Sequence, residues 1–114
     1  MPINSVTALE YVDGDSSLLR ELAALFVEDY PRLFRELGDA VGALDYPTVE
    51  RVAHTLKGRL AFFGMEAERN LALALELKGK ECKLDEAGRL LEDLNAAIVE
   101  TIPEFRDLAR ESEK

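Results

Sequence analysis

Between residues 19 and 41 the apolar side chains Leu19, Leu22, Phe26, Tyr30, Leu33, Leu37 and Val41 recur in steps of three and four. That spacing draws a continuous stripe along one side of a long α-helix, and such a stripe must be covered by other elements. Pro31 falls inside it and removes a backbone donor, which typically costs about 3 kcal/mol in a straight helix. Because the stripe continues in phase through the proline, a kink between Val27 and Pro31 is expected in place of a break.

The rest of the chain offers only more helix. A short amphipathic segment over residues 6–12, capped by Ser5, ends at the turn signal Asp13-Gly14-Asp15 and is expected to lie over the bundle end. Asp15 or Ser16 caps the long helix, and Gly42 is expected to end it. Asp45 and Pro47 open a third helix over residues 46–63, with Val49, Val52, Ala53, Leu56, Leu60 and Phe63 on its core side and Gly64 as its stop. A fourth, residues 65–78, turns Ala67, Leu71, Ala74 and Leu75 inward and closes at Gly79. After a polar loop at residues 80–83, a fifth carries Ala87, Leu91, Leu94, Ile98, Phe105 and Leu108, with a bend expected at Pro103, and residues 111–114 are expected to fray. No segment alternates with period two. The expected fold is all-α, an antiparallel four-helix bundle with a short additional N-terminal helix, forming a single domain over residues 1–114.

Charge narrows the function. Fourteen basic residues against twenty-three acidic ones give a net charge of −9, with the acidic residues spread through the chain. Nucleic acid and anionic membrane are disfavoured as partners, because both need a basic footprint. The lone Cys82 can form no internal disulfide, and the N-terminal MPINSVTALE lacks the basic start and apolar core of a signal peptide. A cytoplasmic monomer without direct membrane contact is expected. The same sequence also suits one module of a longer, membrane-anchored protein.

His54 is the only histidine. With about 100° per residue, the core side of the third helix centres near 310° and His54 lies near 100°, roughly 150° away. The imidazole is therefore expected to face solvent. Lys57 and Gly58, at i+3 and i+4, lie over it because helical side chains lean toward the N-terminus. Glycine inside a helix costs about 0.5–1 kcal/mol relative to alanine, and no bend requires it here. Taken singly, a solvated lysine, a tolerated glycine and an idle surface histidine are the plainer readings. Together they leave a ring nitrogen uncovered with a mobile cation beside it. An exposed imidazole keeps a substantial neutral fraction at cellular pH, and a neutral ring nitrogen can attack a phosphoryl group directly. The chain has no Gly-rich phosphate loop, second histidine or metal-ligand spacing, so no cofactor or metal is expected to bind it.

At these residues the sequence resembles the histidine-containing phosphotransfer (HPt) domains of two-component phosphorelays. The resemblance is carried by Ala53-His54-Thr55-Leu56-Lys57-Gly58, Phe63-Gly64 and Leu75-Glu76, with Leu18-Leu19-Arg20-Glu21-Leu22 and Phe26 upstream. It implies that His54 accepts a phosphoryl group from a receiver-domain aspartyl phosphate and passes it to another receiver aspartate. It also implies that Mg²⁺ belongs to the receiver, that Lys57 neutralises the phosphate, and that Gly58 gives clearance. Glu76 matches a position where relatives hydrogen-bond the other ring nitrogen; its plainer reading is a solvated glutamate. Arg51, Ala61 and Phe62 are the candidate docking positions, and Phe62 either packs under a neighbouring helix or joins that patch. Arg59 stands where the family is usually small, and its angle near 240° directs it away from His54. Response-regulator receivers and a hybrid sensor histidine kinase are the implied partners. The competing readings are a catalytically silent bundle that only binds receivers, and an enzyme using His54 as general base, for which no second catalytic group can be assigned.

Overall fold

A computed structural model describes residues 3–110, and every described element is helical: α1 (Ser5–Tyr11), α2 (Ser16–Gly42), α3 (Tyr46–Phe62), α4 (Glu66–Lys80) and α5 (Ala87–Arg110). The fraying expected at residues 111–114 lies outside the described residues. The caps follow from short polar side chains that satisfy first-turn N–H groups. Asp15 accepts from the Leu18 N–H and Asp45 from the Thr48 N–H. For α1 the cap is Asn4, which accepts from the Thr7 N–H, and the expected Ser5 is already helical.

The long helices close a ring in which α2 packs on α3 and α5, and α4 packs on α3 and α5. Along α2, residue numbers rise as those of its contacts on α3 and on α5 fall. Asp29 and Glu36 of α2 meet Arg59 and Arg51 of α3, and Phe26 and Tyr30 of α2 meet Phe105 and Asn95 of α5. The ring extends 47 × 21 × 21 Å. Leu19, Phe26, Tyr30, Leu33 and Leu37 of α2 are buried, as are Val49, Val52, Ala53, Leu56 and Leu60 of α3. Toward the α1 end, Phe26, Phe63 and Phe105 form a cluster with ring centroids 4.5–5.9 Å apart. Such pairs add about 0.5–1.5 kcal/mol each beyond area burial. Tyr30 donates its hydroxyl to Asn95 Oδ1 at 2.8 Å, and burial pushes its phenol far above the ordinary range. The buried Thr101 hydroxyl is satisfied within its own helix, donating to the Ala97 carbonyl.

Pro31 and Pro103 are each accommodated within continuous helix. Two of the expected glycine stops are not the conformational stops. Gly42 ends α2 as its last helical residue, but the left-handed residue that turns the chain is Leu44, at φ 57°. Gly79 lies inside α4, with Cys82 taking the left-handed position beyond it at φ 55°. Gly79 is instead a crossing point: a Cβ there would stand 2.7 Å from the Glu50 nitrogen and 3.0 Å from the Tyr46 carbonyl oxygen of α3. Gly64 does adopt φ 69° after α3, and Asn4 packs against it while donating its N–H to the Phe63 carbonyl. This contact seats α1 on the end of α3. The inward side of α4 is Ala72, Leu75 and Gly79; Ala67 is exposed and Leu71 and Ala74 are half-buried. Leu91 and Leu108 of α5 are likewise half-buried. Among the described residues no helix is long and apolar enough to cross a membrane.

Candidate functional site

His54 lies near the middle of α3, and the core residues Val49, Leu56 and Leu60 fix which way it points. All three are fully buried, whereas the His54 side chain is 66% exposed. Its Nδ1 stands 2.9 Å from Oε2 of Glu76, which α4 presents from across the α3–α4 contact. The other carboxylate oxygen of Glu76, Oε1, is 2.7 Å from Lys57 Nζ, a charge contact whose alignment falls short of a hydrogen bond. One carboxylate thus engages both the imidazole and the cation one turn further along α3.

Glu76 is only 15% exposed. Burial is the largest influence on its carboxyl and opposes ionisation, but Lys57 and then His54 outweigh it and hold the group below its ordinary value. An ionised Glu76 can only accept, so Nδ1–H donates to it, which leaves Nε2 with the lone pair. Gly58 has open space where a side chain would begin, with no atom within 4 Å of the point a Cβ would occupy. The arrangement can therefore present a neutral nitrogen nucleophile to solvent, with a carboxylate behind the ring and a cation at its side.

A groove of about 490 Å³ opens beside the imidazole between α2 and α3. Leu22, Leu25 and Phe26 form its α2 wall, and His54, Gly58 and Phe62 its α3 wall. Arg59 and Asp29 close one side with a 2.8 Å ion pair, so Arg59 reaches toward α2 instead of lying over the imidazole. The Arg59 guanidinium, and then that of Arg32, hold the Asp29 carboxyl below its ordinary value.

Of the candidate positions, this groove gathers His54, Gly58 and Phe62; Lys57 and Glu76 stand behind the ring on the α4 side. Phe62 is half-buried and stacks on Tyr11 of α1 with ring centroids 5.5 Å apart, so it packs under a neighbouring helix while still lining the groove. Arg51 and Ala61 line none of it. Arg51 is exposed and paired with Glu36 of α2 at 2.8 Å, and Ala61 is half-buried. Sequence reasoning missed Leu25, which is 55% exposed in the groove wall. Its signal was a leucine out of phase with the stripe of α2. Among the described residues no three His, Cys, Asp or Glu side chains are grouped to hold a metal ion.

A family model described as Hpt domain matches residues 21–108. The crystal structure of histidine-containing phosphotransfer protein B (HptB) from Pseudomonas aeruginosa PAO1 has a similar fold, with a TM-score of 0.85. The match spans 96% of this chain and 95% of that one at 19% identity. None of the curated proteins compared matches the sequence.

Proposed function

The chain belongs to the Hpt domain family, and from that premise we propose that it is a phosphorelay histidine phosphotransfer protein in which His54 carries the phosphoryl group. One observation carries this reading: the Nδ1 of an exposed histidine is engaged by a carboxylate, leaving Nε2 open beside a residue without a side chain. We read the ring of α2 to α5 as the antiparallel four-helix bundle that such a carrier uses as a rigid mount.

The donor in this reading is an aspartyl phosphate on a response-regulator receiver domain. The Nε2 lone pair attacks phosphorus, the N–P bond forms, and the P–O bond to the aspartyl carboxylate breaks. Nδ1 keeps its proton and donates it in a hydrogen bond to Glu76. The ring becomes cationic, and the Glu76 charge stabilises it. Lys57, one turn along α3 from His54 and held on the same carboxylate, exchanges its contact with Glu76 for one with a phosphoryl oxygen in this reading. Transfer to a second receiver aspartate reverses each step. Mg²⁺ is expected on the receiver. This chain supplies the nucleophile, the cation, and the α2–α3 groove that holds an apolar receiver surface in line. A cytoplasmic, monomeric shuttle and a module of a hybrid sensor kinase both fit this chemistry.

Incubation with a receiver carrying labelled aspartyl phosphate is expected to give an acid-labile, alkali-stable label on the chain. His54→Gln, whose exposed position leaves the fold intact, is expected to abolish it. Label retained in that variant would sink the assignment. Receiver binding without any label on the unaltered chain would identify an interaction module instead.

A further inference from the structure

We propose that a second groove, between α2 and α5, docks an acidic amphipathic helical segment of a partner protein. The groove measures about 540 Å³ and shares no lining residue with the groove at His54. Its apolar walls are Val27, Pro31 and Phe34 of α2 and Val99 and Ile102 of α5. Val99 is 53% exposed. The Tyr30–Asn95 hydrogen bond forms part of the lining beneath them.

The charges at the groove define its occupant. The chain carries a net −9, yet the two charged residues lining this groove are Arg35 and Arg106. Neither has a carboxylate within ion-pair distance among the described residues, a state they share with Arg20, Arg69, Lys78, Lys80, Lys83 and Arg89; what sets these two apart is that both border one apolar groove. Because α2 and α5 run in opposite senses, Arg35 stands at one end of the groove, and Arg106 lies at the other, near Val27. At 1.5 Å per residue, the span from Val27 to Arg35 is about 12 Å of helix axis. Two cations about two turns apart with an apolar middle complement a helix whose carboxylates are seven or eight positions apart, with apolar residues between them on the same side. A fatty acid has one carboxylate and meets one arginine. A second copy of this chain brings another −9 and is repelled.

The backbone adds two acceptors to the same place. Pro31 has no N–H to give the Val27 carbonyl, and Pro103 has none to give the Val99 carbonyl. Both valines line the groove. A partner seated on α2–α5 leaves the His54 groove open and stays bound while phosphoryl exchange proceeds on the other side of α2.

The probe is a synthetic, end-blocked helical peptide with apolar residues at i, i+3 and i+4 between glutamates seven or eight positions apart. Titrated into ¹⁵N-labelled protein, it is expected to shift amides of residues 27–35 and 95–106 saturably. The double variant Arg35→Glu/Arg106→Glu is expected to raise Kd by about tenfold or more. A peptide with lysine in place of each glutamate is expected to leave the spectrum unchanged, and His54→Gln to bind the acidic peptide with unaltered Kd. The proposal is overturned by any of four results: shifts at the His54 groove or nowhere, equal affinity for the double variant, laurate displacing the peptide from the same amides, or a dimer in sedimentation that protects those amides.

Discussion

Glu76 divides one carboxylate between two side chains of α3, and that division sets the resting state of the site. In the proposed transfer, the Lys57 ammonium stays on Glu76 until a phosphoryl oxygen competes for it. Gly58 has the opposite duty, which is to be absent. An added methyl meets nothing within 4 Å, so Gly58→Ala is expected to raise stability by about 0.5–1 kcal/mol through helix propensity. Gly58→Leu is expected to fold equally well while lowering the rate of His54 labelling at least tenfold, because its side chain leans over the imidazole. Thermal melting and labelling rate, measured on the same samples, separate the two effects. The α3 half of this site was legible in the sequence because one helix carries His54, Lys57 and Gly58 in a fixed phase. Glu76 arrives from another helix. No periodicity encodes the register between α3 and α4, so only the family resemblance singled it out.

The register of those two helices is set by Gly79. Its missing side chain lets α4 approach the backbone of α3 at Tyr46 and Glu50, about one turn beyond Glu76. Both obstructing atoms are main-chain, so no rotamer change makes room. Gly79→Ala is expected to cost about 1–3 kcal/mol, the usual penalty for overpacking, and to lower the urea midpoint without changing its slope. The sequence offered Gly79 as a helix stop because a glycine following an apolar stripe is the common C-terminal signal. Leu44 and Cys82 take the left-handed turns instead, a conformation with no side-chain signature in either residue. The inward side of α4 was misphased for a related reason. Ala67, Ala72 and Ala74 are too alike in size and hydropathy to reveal which of them is buried. Where large residues dominate, the stripe located most of the core: on α2 Leu19, Phe26, Tyr30, Leu33 and Leu37 are buried while Leu22 and Val41 are half-buried, and on α5 Leu94, Ile98 and Phe105 are buried.

Across the whole molecule, acid is expected to loosen the helical ring where α3 is pinned to its neighbours. Glu76 ties α3 to α4 and Asp29 ties it to α2, and both carboxyls are held below their ordinary values, 4.5 and 3.8. A carboxyl lowered in the folded state binds fewer protons there than in the unfolded chain, so its stabilisation is fully present above the ordinary value. It is lost as pH falls through the lowered folded value. The melting temperature is expected to hold from pH 7 down to about pH 5 and then to drop. The difference between the unaltered chain and Glu76→Gln is expected to shrink as pH falls; a constant difference from pH 7 to pH 3 would remove Glu76 from the account. The overall architecture was open to sequence reasoning because apolar spacing repeats over many turns. The two grooves were not, since each is a gap between helices whose relative placement depends on the packing of all of them.

The position of His54 has a kinetic corollary for a carrier of this kind. One imidazole beside one groove on the flank of α3 admits a single visitor at a time. In the proposed exchange a donor must depart before an acceptor arrives, which predicts a ping-pong cycle with the phosphorylated chain as its covalent intermediate. Every unphosphorylated receiver in the same compartment then acts as a competitive brake on loading, and flux depends on the ratio of charged to idle receivers more than on the abundance of the carrier.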